Sequence, residues 1–373
     1  MQRRITVGAA LALTLTAALI LSGCAPSQTA TGGSGSSSSA TPNQDFTSMA
    51  DVIDAYPVKD VCGTKKLTIA YPMGITNDWM KQTLTLLKRT AAQCPNIKPI
   101  ATTDAQVDQQ KAVSDVNSLV AQGVNGIITL PIFADAQVPS FRAAQQAGVP
   151  VVTTHSPGIG QIPTDVTAQI TADTQWIGEQ QAKWLHDNLK SGTVIFLGNA
   201  PGQPSSIAFF TAFKKALAQY PELKLVEPDF VPTNNSAVDK KNAMTAMLAK
   251  HGRIDAVVTD NGATDPSVVQ AYDQAGLKLP YLATADVNSM GCLWEKEHFP
   301  MQAMDGTNEL ASVGLYFLLA KINGIKVNKS TSLRGFVSVD TESGKNPKCD
   351  ASIPAGADWS TGLSAADMKK ILG

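Results

Sequence analysis

From residue 67 to residue 322, short apolar runs alternate with amphipathic stretches, and the alternation is run through twice. Runs at 67–71 (LTIAY), 97–101, 126–130 (GIITL) and 149–154 (VPVVTT) predict strands. Between them, 78–92, 109–122 and 134–147 have helical spacing, as in Val113, Val116, Leu119 and Val120. Gly123 and Gly148 predict the stops of the second and third helices. After 155–165 (HSPGIGQIPTD), rich in Pro and Gly, the pattern resumes. Strands are expected at 168–171, 193–197 (TVIFL), 223–230, 256–259 (AVVT) and 281–285, and helices at 175–189, 207–219, 237–250, 266–275 and 307–322. Such alternation implies parallel sheets covered by helices on both faces. Two consecutive sets predict two similar doubly wound α/β domains, and 373 residues suffice for two domains of about 150 residues each.

The N-terminus reads as an address. Arg3 and Arg4 precede an apolar run at 5–21, and Leu21-Ser22-Gly23-Cys24 resembles the bacterial lipobox. Residues 1–23 are therefore expected to be a removed signal peptide, with lipid on Cys24 anchoring an extracytoplasmic protein to the cell membrane. Residues 24–45, with GGSGSSSS at 32–39, lack the apolar content to fold and read as a tether. Export favours disulfides among Cys62, Cys94, Cys292 and Cys349. In a βα unit the helix returns to the end of the sheet where its strand began. Cys62, before the first strand, and Cys94, at the end of the first helix, should meet there, which leaves Cys292 with Cys349.

A net charge of -1 speaks against a nucleic-acid surface. The four His (155, 186, 251 and 298) lie far apart with no Cys at ligand spacing, so no metal site is expected. No catalytic set and no cofactor motif emerges; His155-Ser156 is a neighbour pair in sequence only, which leaves a secreted hydrolase as a minor alternative. In open parallel sheets ligands bind beyond the carboxyl ends of the strands. The residues expected there are Asn77, Asp78 and Trp79, Phe133 and Asp135, His155, Asp173 and Trp176, Asn199, Asp260 and Asn261, Asp286 and Asp305. No Arg or Lys stands at these strand ends.

The stretch from about 65 to about 339 resembles the ribose/galactose-type periplasmic binding proteins, the sugar receptors of ATP-driven (ABC) importers. The resemblance is carried by Asn77-Asp78-Trp79 after the opening strand and by Val120–Ile128 around Gln122-Gly123-Val124-Asn125-Gly126. It is carried further by Ala147-Gly148-Val149-Pro150-Val151-Val152, by Val258-Thr259-Asp260-Asn261 and by Ala285-Asp286. It implies a type I fold: a first lobe from 46–170 plus 306–336, a second from 171–305 plus 337–373, and a hinge of three crossings. It also implies a monomeric, non-enzymatic receptor that closes on a small molecule and presents it to a membrane permease. The ligand contacts it suggests are Asn77, Trp79, Phe133, His155, Trp176, Asn261, Asp286 and Asp305. The family commonly has Asp-Arg where this chain has His155-Ser156, and a further Arg where it has Ile207–Phe210. Without those guanidiniums the site reads as more apolar and more acidic than an ordinary pyranose site. A neutral sugar or sugar alcohol is the expected ligand and an amine the alternative; a sensory receptor of the same fold is the alternative role.

Overall fold

The computed structural model describes residues 44–373; the signal peptide, Cys24 and nearly all of the tether lie outside the described residues. After α1 (Met49–Asp54), the first lobe runs β1 (Ile69–Met73), α2 (Asp78–Ala91), β2 (Ala101–Asp104), α3 (Gln109–Ala121), β3 (Gly126–Thr129), α4 (Val138–Gln146), β4 (Val151–His155) and β5 (Ala168–Ala172). The second lobe runs α5 (Thr174–Leu189), β6 (Gly192–Gly198), α6 (Pro204–Leu217), β7 (Leu223–Leu225), β8 (Val231–Pro232), α7 (Ala237–His251), β9 (Ala256–Thr259), α8 (Pro266–Ala275), β10 (Tyr281–Ala285), α9 (Asn288–Glu297) and β11 (Met301–Met304). The chain then returns through α10 (Leu310–Ile322) and β12 (Ser330–Leu333), crosses again to β13 (Val337–Asp340), and ends in α11 (Ala365–Leu372).

One sheet has the order β12-β5-β4-β3-β1-β2, and the other β13-β11-β10-β9-β6-β7 with β8 beside β6. Every pairing is parallel except β11 with β13. The apolar strands are buried on both faces; Ile69 and Tyr71 in β1 and Ile195 and Leu197 in β6 have no exposed surface. Helix α10 is apolar all round because it is enclosed by strands and by α2, with ten buried residues from Leu310 to Ala320. Its first turn starts later than the sequence suggests, since Thr307 sits at φ 54°, which a right-handed helix does not allow. Of the strand expected at 223–230 only Leu223–Leu225 forms, as β7; Pro228, which has no N–H to give a ladder, lies between it and β8.

The two disulfides are Cys62–Cys94 and Cys292–Cys349. The end of the chain corrects the expected lobe assignment. Met368 and Leu363 pack on Met49 and Leu86, and Arg89 on α2 pairs with Asp367 at 2.6 Å. The terminal helix therefore lies on the first lobe, not the second. Its one apolar stripe has to be covered, and the face of α2 and α1 is what covers it.

Candidate functional site

Between the lobes lies a cleft of about 630 Å³, lined by strand ends and the loops that follow them. Of the expected contacts, Asn77, Trp79, Phe133, His155, Asn261 and Asp305 line it; Trp176 and Asp286 do not. Consecutive residues of a helix point about 100° apart. On α5 that rotation turns Ile177 and Gln181 into the cleft while Trp176 packs against the core. At the end of β10, Thr284, Ala285 and Val287 line the cleft and Asp286 does not. Asp286 is 7% exposed, and its Oδ1 has no hydrogen-bond partner.

On the first lobe, several polar groups that line the cleft are committed internally. Asn77 Oδ1 caps α2 by accepting from Met80 N at 2.8 Å. Trp79 Nε1 donates to the Gly306 carbonyl at 2.6 Å, and the indole meets His155 edge-on at 4.9 Å. His155 Nε2 lies 2.9 Å from the Thr307 carbonyl and Nδ1 2.9 Å from the Thr154 hydroxyl. Burial pushes the imidazole down to about 4, against the opposing pull of the Thr307 carbonyl. The ring is therefore neutral at neutral pH, with its proton on Nε2 facing the carbonyl acceptor.

The second lobe presents amides and a carboxylate. Asn261 Nδ2 donates to Asn199 Oδ1 at 3.1 Å and to Asn235 Oδ1 at 3.3 Å. Beside it, Asp260 accepts from the Ser206 hydroxyl through Oδ2, while Oδ1 is buried with no partner. Burial raises the Asp260 carboxyl to about 6, although the Ser206 bond and the nearby Lys240 charge pull it down. Under this loop Lys240, fully buried on α7, pairs with Asp265 at 2.6 Å and donates to the Asn261 carbonyl at 2.8 Å. Thr259 and Thr284 hydroxyls also donate to Asp265. Asn199 and Asp260 stood among the strand-end residues in the sequence. Lys240 gave no signal, because one Lys in a helix interior reads as a surface residue.

The hinge forms the floor. Asp305 accepts from Phe336 N at 3.0 Å and Thr307 N at 3.2 Å. Burial raises it to about 6, and burial together with the charge of Asp305 holds the neighbouring Glu309 well above the carboxylate range. Asp358 accepts from Ser360 N at 2.9 Å; burial first, and the charge of Asp286 second, push it up to about 7. The crossing strands can lie over these carboxyls only because of two glycines. A Cβ on Gly306 would meet Asp358 Oδ2 at 2.3 Å, and one on Gly335 would meet Asp305 Oδ1 at 1.8 Å.

Backbone strain gathers at the same place. Val107, Ala134, His155, Asn234, Asn235 and Thr307 all have positive φ without being glycine, and all line the cleft. Each such conformation costs about 1–3 kcal/mol and persists only where the surroundings enforce it. The arrangement suits reversible capture of a small polar molecule. Among the described residues lining the cleft none is Lys or Arg.

Comparison with known proteins agrees with this fold. The model of the periplasmic binding protein domain matches residues 71–324. The xylitol-binding protein of Mycolicibacterium smegmatis is 27% identical over 189 residues, 50% of this chain and 52% of that protein. The ribose import binding protein of Bacillus subtilis is 30% identical over 179 residues, 46% of this chain and 55% of that protein. The chain thus spans about half the length of the curated relatives it matches. Among solved structures, the binding component of a Shewanella arabinose transporter, bound to L-arabinofuranose, superposes with a TM-score of 0.66 at 22% identity. That match covers 72% of this chain and 91% of the other.

Proposed function

We propose that this chain, which belongs to the periplasmic binding protein family, is the extracytoplasmic receptor of an ATP-driven importer and captures a neutral polyhydroxylated molecule between its lobes. The observation that carries this reading is the second-lobe wall: Asp260 with an unpartnered Oδ1, next to the Asn199–Asn261–Asn235 amides. A hydroxyl donates to a carboxylate and accepts from an amide N–H, so vicinal hydroxyls satisfy both. An anionic ligand would face carboxylates with no cation among the lining residues, and a buried unpaired charge is expensive. The relatives named for xylitol and ribose fit the same chemistry. Binding closes the lobes about the three crossings, and the closed form meets a membrane permease. The protein acts as a monomeric receptor and not as an enzyme. An amine-bearing ligand is a second reading, favoured by Asp260, Asp305 and Asp358 in the lining.

The test is calorimetric titration with xylitol, ribose, xylose, arabinose and inositol. Asp260→Ala is expected to weaken the best of these by about 1.5–3 kcal/mol, the range for hydrogen bonds to a charged group. Unchanged affinity in that variant, or tight binding of a sugar phosphate, would overturn the reading of the wall. The lipobox-like ending gives the tether its anchor. Cys24→Ala is expected to move the protein from the membrane fraction to the soluble fraction or leave it unprocessed; a variant that stays lipid-modified would refute the anchor.

A further inference from the structure

The two walls of the cleft are chemically unlike. Amides and the Asp260 carboxylate face it from the second lobe. The first lobe turns Ile75, Val107, Ile132 and Phe133 toward it, while Asn77, Trp79 and His155 spend polar atoms on Met80, Gly306, Thr307 and Thr154. Phe209 adds apolar surface from the other side.

Val107 is the telling residue. It is 59% exposed and has φ 63°, next to Gln106 at φ 55°. A β-branched residue in the left-handed region is an outlier that the surroundings must hold in place. Here an isopropyl group is left in water at the cleft. Covering it with an apolar group of the ligand would recover that surface. The cleft, at about 630 Å³, is in the size range of small-molecule sites.

We infer that the ligand is two-faced: a hydroxylated ring or chain held by Asp260, Asn199 and Asn261, carrying an apolar alkyl or aryl substituent that seats on Ile75, Val107, Ile132 and Phe133. A glycoside with a small apolar aglycone has this chemistry. The inference deepens the polyol reading above and rests on it, since it concerns the opposite wall of the same site.

The experiment pairs each free pentose (xylose, ribose and arabinose) with its butyl and phenyl glycosides, titrated into the full chain and into Val107→Asn. Asparagine tolerates the left-handed conformation better than valine, so the variant should fold at least as well, which thermal melting checks. At least one glycoside is expected to bind about tenfold or more tighter than its parent sugar, in line with burial of a few methylenes. In Val107→Asn that preference should shrink severalfold. Free pentoses binding as tightly as all their glycosides, or a preference unaltered by Val107→Asn, would overturn the two-faced ligand while leaving the polyol reading standing. Binding in neither arm, together with none to xylitol or inositol, would overturn both.

Discussion

Replacing Lys240 with methionine is expected to cost the folded protein about 3–5 kcal/mol, the penalty for breaking a buried ion pair by removing one partner. Both side chains of the Lys240–Asp265 pair are fully buried, with the ammonium 2.6 Å from the carboxylate. Methionine fills much of the lysine volume but leaves Asp265 with only the hydroxyls of Thr259 and Thr284. The loss is therefore one of charge compensation and not of packing. The double variant Lys240→Met with Asp265→Asn should regain a large part of it, because a neutral amide no longer needs a counter-charge. Urea unfolding of the ligand-free protein reads both values. A single-variant loss below about 1 kcal/mol would mean that the pair is dispensable. Ligand affinity should fall as well, since Lys240 also holds the Asn261 carbonyl at 2.8 Å.

The second large effect is a pH dependence opposite in sign to that of most carboxylates. Asp286, Asp305 and Asp358 are raised to about 6, about 6 and about 7 from an ordinary 3.8, in each case chiefly by burial. A carboxyl raised in the folded state binds its proton more tightly there than in the unfolded chain. The stability it contributes is full below about pH 4 and is lost as pH rises through 6 to 7. His155, lowered to about 4 from 6.5, runs the other way, losing stability as pH falls through that window. The clean measurement is thus a difference between two proteins. Asp358→Asn removes the group raised furthest among those three. It should match or trail the wild type near pH 4 and gain on it steadily, by up to about 4 kcal/mol at pH 8, the free energy of moving a pKa from 3.8 to about 7. Denaturant midpoints at four or five pH values would show it, and parallel curves for the two proteins would refute it.

These two variants mark where the sequence stops being legible. Lys240 lies in the helical run 237–250, whose spacing foretold the helix but not which of its neighbouring lysines turns inward. Asp358 lies in a tail with no periodic pattern, and only the return of that tail past the hinge sets it near Asp286 and Asp305.

Several of the cleft-lining residues could nonetheless be read. Asn77, Trp79, Phe133, His155, Asn261 and Asp305 follow strands whose apolar runs are visible, and a parallel sheet sends all such ends to one side. Trp176 lies off the cleft because the helix start fixes a register that one residue of rotation changes. Asp286 lies off the cleft just past the end of β10, where no strand period says which way a side chain turns.

The sequence by itself determined most of the elements between 67 and 322, their alternation, the two doubly wound lobes and the cysteine partners, because these follow from local periodicity and from the direction in which a βα unit must run; α1, α9, α11, β12 and β13 came only with the structure. Tertiary structure alone decided the buried Lys240–Asp265 pair, the carboxyl cluster of the hinge, the seat of α11 on the first lobe and the strained Val107 at the cleft. Each of these depends on groups distant in sequence sharing one low-dielectric space, where desolvation and charge are settled jointly and no local pattern records the outcome.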